Sequence, residues 1–461
     1  MTTSSDSFMT TVASLVPTLL ALACLALAPH RVHAQERSAN TPPVPADLAA
    51  GTAALPDGAA GQAEPTAVEL DELRRRIDVL AAELEQLRSG EQETTLSDDK
   101  RRALGLAPSA AATYRRASPG ISFAGYGEML YERRGDRAQD GQPLAPSRQL
   151  DMLRFVLYTG YRFGDRFVFN SEVELEHANE VSVEFAYLDY LASPNLTVRA
   201  GMVLLPLGLV NEFHEPNVFL GARRPETESR IIPSTWRENG AGVLGSSGPF
   251  QYRVFVVNGL NALGFSAQGV RGGRQKGSRA NAVDLAVAGR LDVVPTPGLF
   301  FGGAVYTGGS AQGQLASADD PRVATTIAEV HGQVQVRGFD LRGLYAKAFI
   351  GDVVALNSAL TTGRPIARRM AGGYAQIGYN VLSQVTERAG VIPYYRYERV
   401  NTQENVPSPF LPNNGADGSF HTAGVEFRPI YNIVVKTDYQ WVRNRARTGR
   451  DQFNINLGYA F

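Results

Sequence analysis

The sequence predicts an all-β transmembrane barrel of about sixteen antiparallel strands, preceded by a short α-helical coiled coil. Three observations carry this prediction. Segments of about ten residues that alternate polar and apolar side chains recur from Gly120 to the end of the chain. Charged residues keep to one face of these segments, and the last segment ends in the aromatic residue Phe461.

The final segment shows the alternation most clearly. Because successive side chains of a strand face opposite sides, one face holds only apolar residues, and the other holds polar and small ones. The apolar face consists of Phe453, Ile455, Leu457, Tyr459 and Phe461. Such a face suits lipid, whereas the opposite face suits water.

Other segments divide in the same way, with charges on the face that cannot meet lipid. A soluble sandwich or propeller would also alternate, but it would have to bury these charges in a dry core, which is prohibitively costly. We therefore expect them to line the inside of a barrel. The predicted lining residues are Arg154, Arg162, Glu172, Glu174, Arg199, Arg290, Arg337, Arg396, Lys436 and Asp438.

The strand count rests on sixteen predicted starting points, and fourteen or eighteen strands remain alternatives. An even count places both ends of the barrel chain on the side of the short turns. The predicted starts are residues 120, 149, 167, 181, 196, 239, 249, 281, 298, 324, 340, 371, 390, 420, 433 and 452.

Composition excludes several classes of protein. Outside residues 12–28 no apolar run approaches the roughly 20 residues of a membrane-spanning helix, so a polytopic helical protein is excluded. The 45 basic and 46 acidic residues give no global bias toward nucleic acid. The single cysteine, Cys24, excludes a disulfide framework.

The region before the barrel divides into four predicted parts. Residues 1–34 form a signal peptide with small residues before Gln35, although a lipoprotein site at Cys24 is an alternative. Residues 35–66 form a flexible tether rich in Ala, Pro and Gly. Residues 67–90 form the coiled coil, and residues 91–119 link it to the barrel domain at 120–461.

The coiled coil is predicted from apolar residues that recur in alternating steps of three and four over about three heptads. A single amphipathic helix lying on a domain surface is the alternative. The strict two-per-heptad stripe favours self-association. The seam residues are Leu70, Leu73, Ile77, Leu80, Leu84 and Leu87.

Three stretches resemble the phosphate-selective porin O/P family: residues 121–128 (ISFAGYGE), residues 198–209 (VRAGMVLLPLGL) and the terminal strand. The similarity spans residues 120–461. It implies a trimeric, sixteen-stranded barrel in the bacterial outer membrane, with the coiled coil in the periplasm. Family members with such a coiled coil include channels for dicarboxylates. The dense Arg and Lys lining of the family is not matched residue by residue here.

The connection 206–238 is the predicted constriction, because a connection of this length in a compact barrel is usually functional. It carries charges of both signs, which can set a transverse field across a narrow pore. Packing on the outside, at a trimer contact or at lipopolysaccharide, is the alternative. The constriction residues are Arg223, Arg224, Arg230, Arg237, Glu226 and Glu228.

We expect passive diffusion of small hydrophilic solutes, with a slight preference for small anions, such as phosphate or dicarboxylates, or for zwitterions. The basic stretch 269–279 is expected to meet lipopolysaccharide or to attract anions to the mouth. No catalytic motif, metal site, cofactor or nucleic-acid partner is predicted. A barrel enzyme such as a lipase or protease, and a structural barrel that tethers the envelope, are the alternatives.

Overall fold

The computed structural model describes residues 75–78, 96–315, 323–360, 365–386 and 388–461. The chain divides into two compact units, Met1–Leu84 and Glu85–Phe461, and the second contains the barrel. The predicted signal peptide and tether lie outside the described residues. So does most of the predicted coiled coil, of which only residues 75–78 are described, as helix.

Sixteen antiparallel strands form one closed barrel in which each strand pairs with its neighbours in sequence. The predicted strand number is confirmed, and each predicted start lies within four residues of the observed one. The strands are β1 Gly120–Arg134, β2 Ser147–Arg162, β3 Phe167–Glu176, β4 Glu180–Ser193, β5 Leu196–Leu204, β6 Arg237–Ser247, β7 Phe250–Asn258, β8 Leu285–Thr296, β9 Leu299–Gly309, β10 Ala324–Val336, β11 Phe339–Ile350, β12 Arg369–Tyr379, β13 Gly390–Asn405, β14 Asp417–Ile430, β15 Ile433–Asn444 and β16 Gln452–Ala460.

The first and last strands close the barrel. The register between β1 and β16 runs from Tyr126 opposite Ala460 to Arg134 opposite Gln452. Beyond the last strand, the backbone groups of Gly125 and Phe461 exchange two hydrogen bonds of 2.9 and 2.8 Å. Closure pairs the backbone of every strand on both sides, so no open sheet edge is left among the sixteen strands.

The outer face of the barrel is apolar. Side chains such as Leu157, Val254, Leu291 and Leu457 are exposed there and alternate along their strands with buried inward side chains. Exposed aromatic residues lie beside the turns of one end, which is where barrels meet the membrane interface. They are Phe163, Phe167, Phe250, Phe339, Tyr431 and Phe461.

The two ends of the barrel differ in the length of their connections. At one end, six of the seven connections are turns of four residues or fewer. The seventh connection, residues 380–389, is longer. Both ends of the barrel chain lie here. Arg337 belongs to one of these turns and not to the lining, because β10 ends at Val336 and Arg337 has a positive φ of 48°. The prediction for Arg337 was therefore wrong.

Long connections lie at the other end, and two of them are central to the site. Residues 205–236 join β5 to β6, and residues 259–284 join β7 to β8. The helices of the barrel unit are short: α1 Asp98–Ala103, α2 Ala112–Arg115, α3 Thr227–Arg230 and α4 Val353–Ala359. Among the described residues, no helix has the length and apolarity needed to cross a membrane.

Residues 96–119, the described part of the predicted linker 91–119, contain α1 and α2 and pack against the barrel. Ser97 caps α1 by accepting a hydrogen bond of 3.3 Å from the backbone of Lys100, and two aspartates follow in the first turn. Residues 103–107 and 110–111 are buried. Small apolar residues such as Ala107, Ala110 and Ala111 let this segment pack closely against the barrel wall.

Candidate functional site

The barrel wall holds its inward charges in pairs. The Arg199 guanidinium donates two hydrogen bonds, of 2.8 and 2.9 Å, to Asp189. Arg396 donates one of 2.8 Å to Glu398. All four side chains are buried. Because burying a charge is tolerated only when it is paired, these arginines are already compensated and offer little free positive charge.

Asp292 is the centre of a network that extends beyond the wall. Its Oδ2 accepts hydrogen bonds of 2.7 Å from both Arg253 and Arg290, and its Oδ1 lies 2.8 Å from Nε2 of His331. Arg253 also donates a hydrogen bond of 2.8 Å to Glu212 of the connection after β5. The network therefore joins strands β7, β8 and β10 to a segment that is not part of the wall.

Residues 97–115, which we call the N-terminal plug, lie against the inward faces of the strands. Tyr114 donates a hydrogen bond of 2.7 Å to Asp189, and Asn170 donates one of 2.9 Å to the carbonyl of Ala110. Near the other end of the plug, Arg253 donates 3.1 Å to the carbonyl of Arg102. The partners of the plug on β3, β4 and β7 lie close in sequence to the short turns. The plug therefore occupies the interior on the side of those turns.

Residues 205–236, which we call the lumen loop, cross the interior of the barrel. Lys436 donates a hydrogen bond of 2.7 Å to the carbonyl of Phe219, and Ala222 donates one of 2.7 Å to Asp438. On the far side, the backbone of Gly208 donates 3.3 Å to Glu329. The loop therefore reaches from β10 to β15, and most of its residues are buried.

Five of the six predicted constriction residues lie in this loop, and most of the charges of the six are paired. Arg223 pairs with Glu132 of β1, and Arg230 pairs with Glu226 at 2.7 Å. Arg224 donates 3.2 Å to the hydroxyl of Thr235. The loop ends earlier than the sequence predicted, because Arg237 already belongs to β6, where it pairs with Glu184 at 3.0 Å.

The predicted lining residues other than Arg337 belong to strands. Arg154 lies between Glu128 at 3.1 Å and Glu174 at 3.2 Å. Lys436 lies 3.7 Å from Glu426. Arg162 lies at the rim, where it donates 3.4 Å to the carbonyl of Asp165. Buried inward residues among those predicted are Arg154, Glu172, Glu174, Arg199, Arg290, Arg396, Lys436 and Asp438.

A β-bulge adds a lining residue that the alternation did not reveal. Glu172 lies opposite Phe185, but the next residue, Val173, lies opposite Val183, so Glu184 has no partner across the ladder. Glu184 and Phe185 are consequently both buried. The bulge brings Glu184 beside Glu172 and beside His214 of the lumen loop, and these three form a group that could hold a metal ion.

A small cavity adjoins this group. It has a volume of about 10 Å³, which is room for about one water molecule. The plug, the wall and the lumen loop all contribute to its lining, through Ala107, Tyr158, Glu172, Glu212 and His214 among others. The cavity is thus the meeting point of the three parts that fill the interior.

Two loop residues at this point have shifted pKa values. Burial lowers the pKa of His214, but the carboxylates of Glu172 and Glu184 outweigh it and raise the pKa to about 10. Burial raises the pKa of Glu215 to about 7, against hydrogen bonds from Ser109 that lower it. The surroundings of His214 therefore favour a positive charge strongly.

Arg271 and Arg274 of the connection 259–284 lie near Arg224 of the lumen loop, and we call these three arginines the basic cluster. Arg274 donates 3.1 Å to the carbonyl of Pro233, and Arg271 donates to that of Ser234. Partial desolvation, and then the charges of Arg274 and Arg224, lower the pKa of Arg271. None of the three forms an ion pair with another residue in the described part of the chain.

Glu228 anchors the lumen loop to the wall and gives a first prediction. It accepts hydrogen bonds of 2.8 and 2.7 Å from the backbone N–H groups of Leu209 and Val210, and one of 2.6 Å from the Tyr374 hydroxyl. We expect Tyr374→Phe to weaken the docking of the loop by about 1–3 kcal/mol, because one buried carboxylate oxygen loses its donor. Hydrogen exchange of residues 205–236 should then become faster.

Tyr345→Phe, on the outer face of β11, serves as the control for this change. It removes the same hydroxyl group without touching the loop. Equal exchange in the two variants and the parent protein would show that the contact between Tyr374 and Glu228 does not hold the loop in place.

The described histidines bear on the alternative of a barrel enzyme. Their ring nitrogens contact carboxylates, a backbone carbonyl, a guanidinium and a tyrosine hydroxyl. Among His177, His214, His331 and His421, none has a serine hydroxyl as a hydrogen-bond partner in the described ranges. No pair of a serine nucleophile and a histidine base is therefore formed by these four residues.

Comparison with known proteins identifies a relative in sequence. An uncharacterized protein of Aquifex aeolicus strain VF5 is 32% identical over 376 residues, which cover 77% of this chain and 83% of the relative. The chain belongs to the same family as this protein. No family model matches the chain.

Solved structures of outer-membrane proteins share the barrel fold of this chain at low sequence identity. The outer-membrane channel DcaP of Acinetobacter baumannii superposes with a TM-score of 0.50 at 13% identity, covering 75% of this chain and 98% of that one. OmpF of Salmonella typhi, solved with daunomycin, also gives a TM-score of 0.50, at 11% identity, with 74% and 97% covered. At such identities the likeness extends to the fold: a sixteen-stranded barrel of the outer-membrane porin type.

Proposed function

We propose that this chain is an outer-membrane porin for small hydrophilic solutes. The observation that carries the proposal is the division of the closed barrel into an apolar outer face and a charged inner face. An apolar band with aromatic residues at its edge suits lipid, and an interior of paired charges suits water and polar solutes. The shared fold with an outer-membrane channel supports the same function.

We further propose a preference for small anions such as phosphate or dicarboxylates. The wall arginines are compensated by carboxylates, so they contribute little net field. The basic cluster is the exception, because its guanidinium groups donate to neutral oxygens of the lumen loop. Guanidinium groups remain charged at neutral pH and match the geometry of phosphate and carboxylate oxygens. The cluster thus supplies positive charge where solutes meet the loop.

The plug and the lumen loop restrict the passage in this proposal. Both bury inward side chains of the wall, so the space left for solutes is small, and we expect low conductance per pore. A homotrimer with its coiled coil in the periplasm follows from the resemblance to the O/P porins. Lipid and lipopolysaccharide are the expected surroundings of the outer face.

Replacing Arg224, Arg271 and Arg274 together by Ala is expected to abolish most of the anion preference. The three changes remove cations that contact the lumen loop and form no ion pair among the described residues. The measurement is the reversal potential in planar bilayers across a tenfold gradient of potassium chloride. The parent protein should reverse on the anion side, and the variant should move toward zero or beyond it.

A triple variant with the same change in net charge serves as the control: Arg133, Arg148 and Arg447 to Ala. These side chains are exposed near the end of the long connections and are not part of the basic cluster. The control should keep the reversal potential of the parent. An unchanged potential in the basic-cluster variant would refute the anion preference, and absence of conductance from folded parent protein would refute the porin function.

A further inference from the structure

Hydrogen bonding accounts for only one of the two carboxylate contacts of His214. Its Nε2 lies 3.2 Å from Oε1 of Glu172 and 3.2 Å from Oε2 of Glu184. A charged N–H donor usually approaches a carboxylate to about 2.7–2.9 Å. One N–H also cannot point at two oxygens, and Oε2 of Glu184 has no hydrogen-bond partner among the described residues.

These distances suit ligands that share a metal ion. Two ligand atoms at about 2.0–2.1 Å from a tetrahedral ion lie about 3.3 Å apart. The three ligand atoms lie within 4.8 Å of one another, and all three side chains are buried. The two separations of 3.2 Å between the imidazole nitrogen and the carboxylate oxygens therefore match those of ligands around one ion.

The histidine is already oriented as a ligand. Its Nδ1 lies 2.9 Å from the backbone carbonyl of Asn211, to which it donates if it carries the proton. This bond leaves Nε2 to face the two carboxylates, and ligating histidines are commonly fixed in this way. Oε1 of Glu184 accepts 3.0 Å from Arg237, so its Oε2 is the free ligand atom.

Two further buried atoms point to a ligand at this place. Oε2 of Glu172 and the hydroxyl of Tyr158 have no hydrogen-bond partner within the described ranges, although their residues are only 0% and 2% exposed. Both residues line the cavity beside His214. Buried polar atoms are normally satisfied, so these two need a partner such as an ion and a water molecule bound to it. The cavity has room for that water as a fourth ligand.

The charges of the surrounding side chains also favour a bound cation. Glu128, Glu172, Glu174 and Glu184 are buried together, while Arg154 and Arg237 supply the positive charge beside them. Four carboxylates and two guanidinium groups leave two negative charges. A protonated His214 would compensate one of them, whereas a divalent cation bound to neutral His214 would compensate both.

We propose that Glu172, Glu184 and His214 bind one Zn²⁺ ion inside the barrel. One imidazole and two carboxylates in tetrahedral array are ligands that zinc accepts, and a smaller contribution of nitrogen would be expected for magnesium or calcium. The ion connects the lumen loop, through His214, to β3 and β4 of the wall. This inference does not depend on the proposed transport function.

The test is the metal content of the folded full chain. The protein is treated with EDTA, supplied with Zn²⁺, dialysed and analysed by mass spectrometry of the metal. We expect about one zinc per chain. Glu184→Gln, Glu172→Gln and His214→Gln should each reduce the content at least tenfold. Cobalt in place of zinc should give the absorption bands of a tetrahedral site in the parent protein only.

His331→Gln is the matched control, because His331 is also buried between two carboxylates but lies at 2.8 and 2.9 Å from them, as hydrogen bonds require. It should keep its zinc. The difference in gel mobility between unheated, folded barrel and heated, unfolded chain checks that each variant has folded. The isosteric Glu→Gln changes still test the site if His214→Gln does not fold. Zinc-free folded parent protein, or equal zinc in all variants, would overturn the site.

Discussion

Replacing residues 97–115 by a Gly and Ser chain of equal length is expected to raise the single-channel conductance several-fold. The plug lies inside the barrel and contacts the inward faces of β3, β4 and β7 through Asn170, Asp189 and Arg253. A flexible chain without these contacts would leave the interior to water and ions. The measurement is the step size in planar bilayers at fixed salt.

Replacement of residues 135–146 by a similar flexible chain is the control for this experiment. That connection bonds to the neighbouring connection 445–451, with Gln139 donating 2.8 Å to the carbonyl of Gly449. Its loss should leave the step size unchanged. If the plug replacement folds and conducts like the parent protein, the plug does not limit the pore.

Asp292→Asn is expected to lower the free energy of unfolding by about 3–5 kcal/mol. The buried Arg253 and Arg290 both donate to the same carboxylate oxygen, and His331 contacts the other one. Asparagine keeps the size of the side chain but removes the negative charge, so two buried guanidinium groups lose their common partner. The midpoint of urea unfolding, followed by the mobility of folded protein on gels, measures the effect.

Asp98→Asn provides the comparison for an exposed ion pair. Asp98 pairs with Arg101 at 3.1 Å, but its side chain is 87% exposed, so the pair contributes about 0–1 kcal/mol. The midpoint should hardly move. A shift for Asp292→Asn no larger than this one would mean that water or nearby carboxylates replace the lost charge.

The barrel itself could be predicted from the sequence because strand alternation is a local signal. Each strand has an apolar face toward lipid and a polar face inward, so a period of two repeats sixteen times and is ended by recognisable turns. The terminal strand shows this directly, since Phe453, Ile455 and Leu457 alternate with Asn454 and Asn456. Nothing beyond the residues of one strand is needed to read it.

The full set of side chains that line the inside of the barrel could not be predicted from strand alternation. Glu184 turns inward because of a bulge, which shifts the alternation by one residue and leaves no mark in composition. Arg337 was misassigned for the opposite reason, since its turn continues the alternation of β10 by one position. Local periodicity therefore places most lining residues but fails where the backbone departs from regular pairing.

Contacts between distant segments were also beyond the reach of the sequence. Arg199 and Asp189 are ten residues apart on adjacent strands, and Tyr114 joins them from the plug. Before the fold is known, a list of arginines on the wall suggests free positive charge. Only the packed structure shows that the wall arginines are compensated and that Arg271 and Arg274 are not.

The plug also has a mechanical consequence. Residues 116–119 join it to β1 at Gly120, while its other end continues toward the N-terminus of the chain. A force applied on that side would break the contacts of the plug one after another, starting from the hydrogen bond of 3.1 Å between Gln251 and the carbonyl of Asp99. The wall, by contrast, resists with whole rows of backbone hydrogen bonds loaded together. Under tension the plug would leave the barrel long before any strand separated.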